Sequence, residues 1–297
     1  MSYPKVSLVI LNWNGKDITI ACLKSVEKID YPNYQVIVVD NGSTDGSQKE
    51  IKAGFPSVHL MENGQNLGFP EGMNVGIRYA LDGGADYVFS LNNDTILDRD
   101  ILTELVKVAE SSPAIGIVVP KVYFAQEPNR IQTVGGMIDW KKGRGYHLKI
   151  GEIDTGEYES EREVDYLGLP LIKKAVIDKI GLYDSGYFAY WEDVDLCTRA
   201  KRAGFKVISV PRAKIWHEGT FTIRKISGFF EYYSTRNRFW FMKRHASGKQ
   251  FLLFILWFFF FELWFRGGVL LVYHRNIKAF VSFCRGIKDG ILKSLGS

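Results

Sequence analysis

The chain has 297 residues, 46% of them hydrophobic and 24% charged, which is the make-up of a folded protein and excludes a disordered one. Its formal charge of +5 is modest for that length. The basic residues gather after about residue 199, which fits an anionic surface or ligand and not general nucleic-acid binding. Cys22, Cys197 and Cys284 form no CxxC pair and leave one over, so reduced thiols in a cytosolic compartment are expected in place of a disulfide framework.

The opening MSYPKVSLVI runs directly into an apolar stretch, with no basic segment and no small-residue cleavage site, and no signal peptide is expected. Residues 6–11 and 36–39 are β-rich apolar runs that end in the polar turns NWNG and DNGSTDGS, and they read as strands buried on both faces of a parallel sheet. Between them, residues 17–28 carry helical apolar spacing at Ile18, Cys22 and Val26, which makes a βαβ unit. Strands at 57–61, 87–91 and 115–120 alternate with helices at 72–81 and 98–111. This alternation predicts an α/β fold whose ligands sit at the carboxyl ends of the strands.

Residues 125–163 read as an irregular or hairpin insertion, followed by a strand at 165–169, a helix at 173–180 and a strand at 206–210. After Gly219 the composition turns apolar and aromatic. Residues 251–273 are interrupted only by Glu262 and Arg266, four apart and able to pair on a helix. A helix stopped by Gly267-Gly268 would reach roughly 24 Å, short of a ~30 Å bilayer core. Bases flank both sides: Arg236, Arg238, Lys243, Arg244 and Lys249 before, and His274, Arg275, Lys278, Arg285 and Lys288 after. Both ends thus look cytoplasmic, which favours interfacial or re-entrant helices on an anionic leaflet over one spanning helix or an oligomer interface.

The chemistry-bearing residues fall in the turns. Asp40 closes a strand, where a carboxylate either contacts a nucleobase or ribose or caps the turn that follows. Asn66 and Gly68 are either turn formers or a loop that admits a ligand close to the backbone. Asp94, after Leu91-Asn92-Asn93, is either a hard oxygen ligand for a diphosphate-bound metal or a helix N-cap. His217 gains a metal role only if it meets Asp94. In YFAYWEDVDLCTR, Glu192, Asp193 and Asp195 crowd four positions. If a helix starts at Trp191, Glu192 and Asp195 share a face and Asp193 points elsewhere. Acids in a first helical turn favour the dipole, but that does not require the aromatic wall of Tyr187, Phe188, Tyr190 and Trp191, which would desolvate a carboxylate and raise its basicity.

Seven ordered blocks, VSLVILNWNG, VIVVDNGSTDGS, NLGFPEGMNVGI, LNNDT, GYFAYWEDVDLCTRAKRAGF, VPRAKIWHEG and YYSTRNRFWF, resemble the inverting family 2 glycosyltransferases of the GT-A fold, rhamnosyltransferase-like branch. The resemblance spans roughly residues 4–245. It implies a catalytic domain over 1–220, with a nucleotide-binding part (1–120) and an acceptor-binding part (121–220), and a membrane-associated helical region over 221–297. It implies Asp193 as catalytic base, with Glu192 and Trp191 at the acceptor. Asp40, flanked by Asn12 and Trp13, would meet the nucleobase, and Asn66, Gly68 and Asn93 would complete the donor site. Asp94 and His217 would hold Mn²⁺ or Mg²⁺, although the first position of the DxD motif is Asn92. Arg236 would either meet the diphosphate or make a structural salt bridge. The implied partners are a dTDP- or UDP-sugar donor, with rhamnose the sugar the branch implies, a glycan acceptor on a polyprenyl diphosphate at the cytoplasmic face of the membrane, and further copies of the chain in an oligomer. A sugar nucleotidyltransferase and a non-catalytic nucleotide-sugar-binding or scaffolding member are the alternatives.

Overall fold

Runs of β-branched residues with no exposure on either face form the centre of the molecule. The computed structural model describes residues 3–219 and 226–292. The chain begins with β1 (Val6–Asn12), α1 (Lys16–Val26), β2 (Tyr34–Asp40), α2 (Ser47–Gly54), β3 (His59–Glu62) and α3 (Gly68–Asp82). It continues through β4 (Tyr87–Asn92), β5 (Thr95–Leu97), α4 (Ile101–Glu110), β6 (Ile115–Phe124), β7 (Glu127–Thr133), β8 (Gly136–Asp139) and β9 (Arg144–His147). Then come β10 (Arg162–Glu163), β11 (Leu171–Lys173), α5 (Lys174–Ile180), α6 (Glu192–Arg202) and β12 (Lys206–His217). Three helices follow: α7 (Phe229–His245), α8 (Gly248–Tyr273) and α9 (Ile277–Leu292).

The main sheet runs β3-β2-β1-β4-β11-β6-β12-β10. β1 is parallel to β2 and β4, β2 to β3, and β12 to β6; β11 lies antiparallel between β4 and β6. This is the expected α/β sheet, parallel in the majority, with Val6, Leu8, Val9, Ile10, Val38 and Val39 fully buried. The registers bring Asn12 beside Asp40 and Leu11 beside Asn92, so the polar turns after β1, β2 and β4 meet at one edge.

One local expectation changes, one helix is new, and one expectation holds. Residues 165–169 are not a strand: Tyr166 makes an isolated bridge to Gly136, and pairing resumes at Leu171, after Pro170, which has no N–H to give a ladder. The helix α2 has no strong sequence signal, because only Ser47 and Ile51 are buried in it. The segment 125–163 does contain hairpins, with β7 folding back on β6 and β8 pairing with β9.

The expected boundary near residue 220 lies outside the described residues. Beyond it, α7 buries Phe239, Phe241 and Met242 in the same apolar cluster as the sheet. The helix α9 lies so close along α7 that a Cβ at Gly286 would stand 2.7 Å from the Tyr232 carbonyl oxygen. Gly267-Gly268 does not stop α8. The helix runs for 26 residues, through π-type stretches at Phe258–Glu262 and Val269–Tyr273, and is long and apolar enough to cross a membrane by length and composition. It carries one buried stripe, Phe254, Phe258, Glu262 and Leu270, and one exposed aromatic face.

Glu262 is the fixed point of that stripe. Arg238 of α7 clasps it through both oxygens at 2.5 and 2.8 Å, and Arg144 of β9 stands 3.3 Å away. The partner expected from spacing, Arg266, is looser at 3.8 Å. Removing one side of a buried pair strands the other charge. Arg238→Ala is therefore expected to destabilise the protein by about 3 kcal/mol, and the paired change Arg238→Met with Glu262→Leu to recover most of the loss, both read by thermal unfolding.

Candidate active site

A cavity of about 300 Å³ opens where the polar turns converge. Its lining includes Trp13, Asn41, Asn66, Gly68, Asn93, Asp94, Trp191, Glu192 and Asp193. Of the residues expected there, Asn12, Asp40, Arg236 and His217 are not on its wall, and the first three are buried beneath it or beside it.

The floor is a closed network. Asp40 is fully buried; its Oδ1 accepts from the N–H groups of Gly42 (3.1 Å) and Ser43 (2.9 Å) and from Gln48 Nε2 (2.9 Å), and its Oδ2 accepts from Asn12 Nδ2 (2.7 Å). Both alternatives for Asp40 were open in the sequence, and in this structure its oxygens are committed to the turn. Asn12 Oδ1 accepts from Thr19 Oγ1 (2.9 Å) and Asn93 Nδ2 (3.3 Å), so the Asn12 side chain joins three turns rather than facing the cavity. Asn41, itself buried, lines the cavity instead, donating to Asn66 Oδ1 at 3.4 Å and to the Gly68 carbonyl at 2.9 Å.

Asn66 accepts from the Gly68 N–H at 2.8 Å, which is turn chemistry. Gly68 has φ +80°, and a Cβ there would be 2.6 Å from the Phe188 ring and 2.7 Å from the Phe188 carbonyl oxygen. The close backbone approach expected at Gly68 is therefore made by the chain's own 188 turn, and the Phe69 N–H donates to Phe188 O at 2.7 Å.

Asp94 is followed by β5 and not by a helix, which removes the N-cap role. β5 pairs with the end of β12, with His217 opposite Thr95, and this pairing delivers His217 Nε2 to 3.1 Å from Asp94 Oδ1. An amide oxygen only accepts, so His217 Nδ1 donates to Gln132 Oε1 at 2.9 Å, and the buried Nε2 faces Asp94 without a hydrogen-bond partner. A lone pair facing a carboxylate oxygen needs a cation or a proton between them. Two donors each at about 2.1 Å from one metal, at right angles, stand about 3 Å apart, so the pair fits a divalent ion. Gln132 supplies the outer hydrogen bond that orients such a histidine. Among the described residues no cluster of three or more His, Cys, Asp or Glu is placed to hold a metal.

The opposite wall is the 187–191 turn. Phe188, Tyr190 and Trp191 all have positive φ (61°, 65° and 76°), a conformation that costs bulky residues of order 1–3 kcal/mol each. Trp191 caps α6 and leans on Phe241, and the three acids then separate. Asp195 is fully buried on Arg199 Nε (2.6 Å) and His245 Nε2 (2.7 Å). Glu192 and Asp193 face the cavity, and Glu192 Oε2 has no hydrogen-bond partner. Burial raises both carboxyls above their ordinary range, and the neighbouring Asp193 charge raises Glu192 further; backbone hydrogen bonds at the helix start partly offset this for Asp193. Arg236 is not on the cavity wall. It donates to the carbonyls of Gly186 (2.9 Å) and Tyr187 (2.8 Å).

Several residues that shape the site gave no sequence signal. Asn74 of α3 grips the 183 backbone, donating to Tyr183 O (2.9 Å) and accepting from its N–H (3.1 Å). Asn237 binds the 187–191 turn, and Phe229 of α7 closes one side of the cavity.

Residues 7–159, just over half of the chain, match the family described as Glycosyl transferase family 2. The chain is 29% identical over 205 residues to the N-acetylglucosaminyl-diphospho-decaprenol L-rhamnosyltransferase of Mycobacterium tuberculosis, a match spanning 61% of this chain and 66% of that protein. It is 24% identical to the dTDP-rhamnosyl transferase RfbF of Shigella flexneri, over 80% of this chain and 79% of the relative. Among solved structures, a mannosyltransferase from Pyrobaculum calidifontis in complex with GDP-Man and Mn²⁺ superposes with a TM-score of 0.62 at 15% identity, covering 98% of this chain and 88% of the other. GalNAc-T7 with UDP, GalNAc and Mn²⁺ gives 0.60 at 15% identity, covering 88% and 57%. These two likenesses show the GT-A fold. Asp193 and His217 lie outside the family-matched stretch.

Asp195 yields a test of its structural part. Burial alone would raise its carboxyl, but the His245 hydrogen bond and the Arg199 charge outweigh that and hold it below the ordinary range. A lowered folded-state value contributes stability that is present above the unfolded value and is lost as pH falls through the folded one. The wild-type melting temperature is thus expected to fall on acidification below about pH 4, and Asp195→Asn to be less stable at neutral pH with a flatter acid side, measured by thermal unfolding across pH.

Proposed function

This chain belongs to glycosyl transferase family 2, and we propose that it is an inverting, metal-assisted enzyme that moves a sugar, rhamnose in the first instance, from a nucleoside-diphosphate donor to a hydroxyl of a lipid-linked glycan. The observation that carries the reading is that Asp94 and Asp193, distant in sequence, line one cavity with different surroundings. Asp94 sits beside the ring nitrogen of His217, and Asp193 is a half-buried carboxylate made more basic by desolvation.

In this reading Asp193 removes the proton from the acceptor hydroxyl, and the oxygen attacks the anomeric carbon as the bond to the leaving diphosphate breaks on the opposite face. One carboxylate is sufficient, since no covalent sugar–enzyme intermediate forms. Glu192, kept protonated by burial and by Asp193, donates a hydrogen bond to an acceptor oxygen, and Trp191 supplies an apolar face for the sugar ring. Asn41, Asn66 and Asn93 present polar groups to the donor, and Asp40 with Asn12 keeps their turns in place. A divalent cation held by Asp94 and His217 would neutralise the diphosphate as it leaves.

The relatives' names, diphospho-decaprenol in one and dTDP-rhamnosyl in the other, support a dTDP-sugar donor and a polyprenyl-diphosphate acceptor. The helix α8 supports attachment to the membrane surface. Its buried stripe lies along α7 and the β8–β9 hairpin, while Phe260 (70% exposed), Trp264 (71%) and Phe265 (71%) face outward. A helix held lengthwise on a folded body with an aromatic outer face and basic neighbours is suited to an anionic leaflet, at the cytoplasmic side.

Nucleoside diphosphate release tests the chemistry. Asp193→Asn is expected to lower turnover by about 10²- to 10⁴-fold with donor binding intact. Because the base acts deprotonated and its carboxyl is raised, wild-type turnover is expected to fall as pH drops, with an acid limb above the ~4 of a free aspartate. Asp94→Asn and His217→Ala are expected to abolish the response to Mn²⁺, and a lipid-linked acceptor to be used in preference to a soluble one. Full activity in Asp193→Asn removes the base assignment, and wild-type turnover without metal removes the roles of Asp94 and His217.

Attachment has a separate measurement. Changing Phe260, Phe261, Trp264 and Phe265 to Ser is expected to weaken co-sedimentation with anionic vesicles by at least about tenfold, given the apolar area each buries. Unchanged sedimentation rejects α8 as the docking surface.

A further inference from the structure

We propose that Asn237, held in place by Arg236, is the positioning residue of this site: it fixes the 187–191 turn and so sets where Asp193 stands on the cavity wall. The inference rests on Asp193 as the base and assigns α7 a part in the reaction that its place after the family-matched stretch does not suggest.

Asn237 is fully buried, and its Nδ2 lies 2.8 Å from Tyr187 O, 2.7 Å from Ala189 O and 2.8 Å from Tyr190 O. An amide nitrogen has two protons, so three carbonyls share them, and a strand or helix cannot aim such neighbouring carbonyls at one point. The left-handed residues Phe188, Tyr190 and Trp191 make that convergence possible. The amide in turn helps the strained turn persist, since without it the carbonyls of Tyr187, Ala189 and Tyr190 would each lose a buried donor.

Arg236 determines which end of the amide faces the turn. Its Nε donates to Asn237 Oδ1 at 2.8 Å, so Nδ2 is the group left for the carbonyls. Its Nη2 holds Gly186 O and Tyr187 O. The guanidinium lies 4.0 Å from the Trp240 ring centre and 4.8 Å from that of Tyr233, both on the same helix, and is clamped between them. From the other side, Phe69 N–H takes Phe188 O. Every carbonyl from Gly186 to Tyr190 is therefore bonded from outside the turn.

Asp193 needs this support. Among the described residues no side chain donates to its carboxylate, so its placement is inherited from the start of α6, whose cap is Trp191. If the turn relaxes, the first turn of α6 re-aims. A displacement of about 1 Å in a reacting group costs on the order of 10²-fold.

The test uses the full chain with Asn237→Ala and, as a milder change that removes only the brace, Arg236→Met. Amide hydrogen exchange is followed over residues 184–194, and nucleoside diphosphate release is followed across pH. The expected result for Asn237→Ala is faster exchange confined to that segment, a kcat lower by at least about tenfold with donor KM within about twofold, and an acid limb moved to lower pH as water reaches Asp193. Arg236→Met is expected to change each readout in the same direction by less, and it decides the matter if Asn237→Ala does not fold. Wild-type exchange over 184–194, or wild-type kcat with an unmoved acid limb, overturns the proposal. A loss that appears only as a lower melting temperature also overturns it. Asp193→Asn, run in parallel, separates the two ideas: if that variant turns over normally the base assignment has failed, and the exchange measurement alone judges the hold of Asn237 on the turn.

Discussion

A strained turn held at both ends is the constraint on which the site depends. Three bulky residues with positive φ cost several kcal/mol together at the usual rates for such conformations. The turn persists because α7 supplies the Asn237 amide and the Arg236 guanidinium on one side, while the first turn of α3 supplies the Phe69 N–H on the other. Gly68 lets the two loops touch; any side chain there would collide with Phe188.

The same constraint ties the C-terminal helices to the sheet. Consecutive residues of α7 look in different directions: Arg236 and Asn237 toward the turn, Arg238 toward Glu262 of α8. An apolar helix with a buried glutamate would be costly in isolation, but the Arg238 clasp and the nearby Arg144 neutralise it where it meets the body. The helix that presents aromatic residues outward is therefore part of the structure that supports the cavity, and not a tether on a linker.

Three neighbouring carboxylates acquire three environments. Asp195 turns inward to Arg199 and His245, which hold its carboxyl below the ordinary range, while Glu192 and Asp193 share a water-poor wall that raises both. Asp94, across the cavity, sits by a histidine whose free nitrogen faces it. Acids separated by environment in this way can divide structural, proton-accepting and cation-binding tasks among themselves.

The sequence by itself determined the alternating strands and helices, because buried parallel strands require unbroken apolar runs and their ends require turn residues. It also carried the ordered blocks that contain Asp94, Asp193 and His217, while the face it expected Glu192 to share with Asp195 is in fact shared with Asp193. It could not show that β5 and β12 bring His217 to Asp94, since pairing between distant strands leaves no local trace. Nor could it show that Asp40 spends its oxygens on its own turn, that Gly267-Gly268 continues a helix, or that Arg236 braces carbonyls. Those outcomes were decided by tertiary structure, for one physical reason: hydrogen-bonding capacity and burial are allotted among neighbours in space. A residue's type fixes only what it can offer, and the fold decides which group receives it.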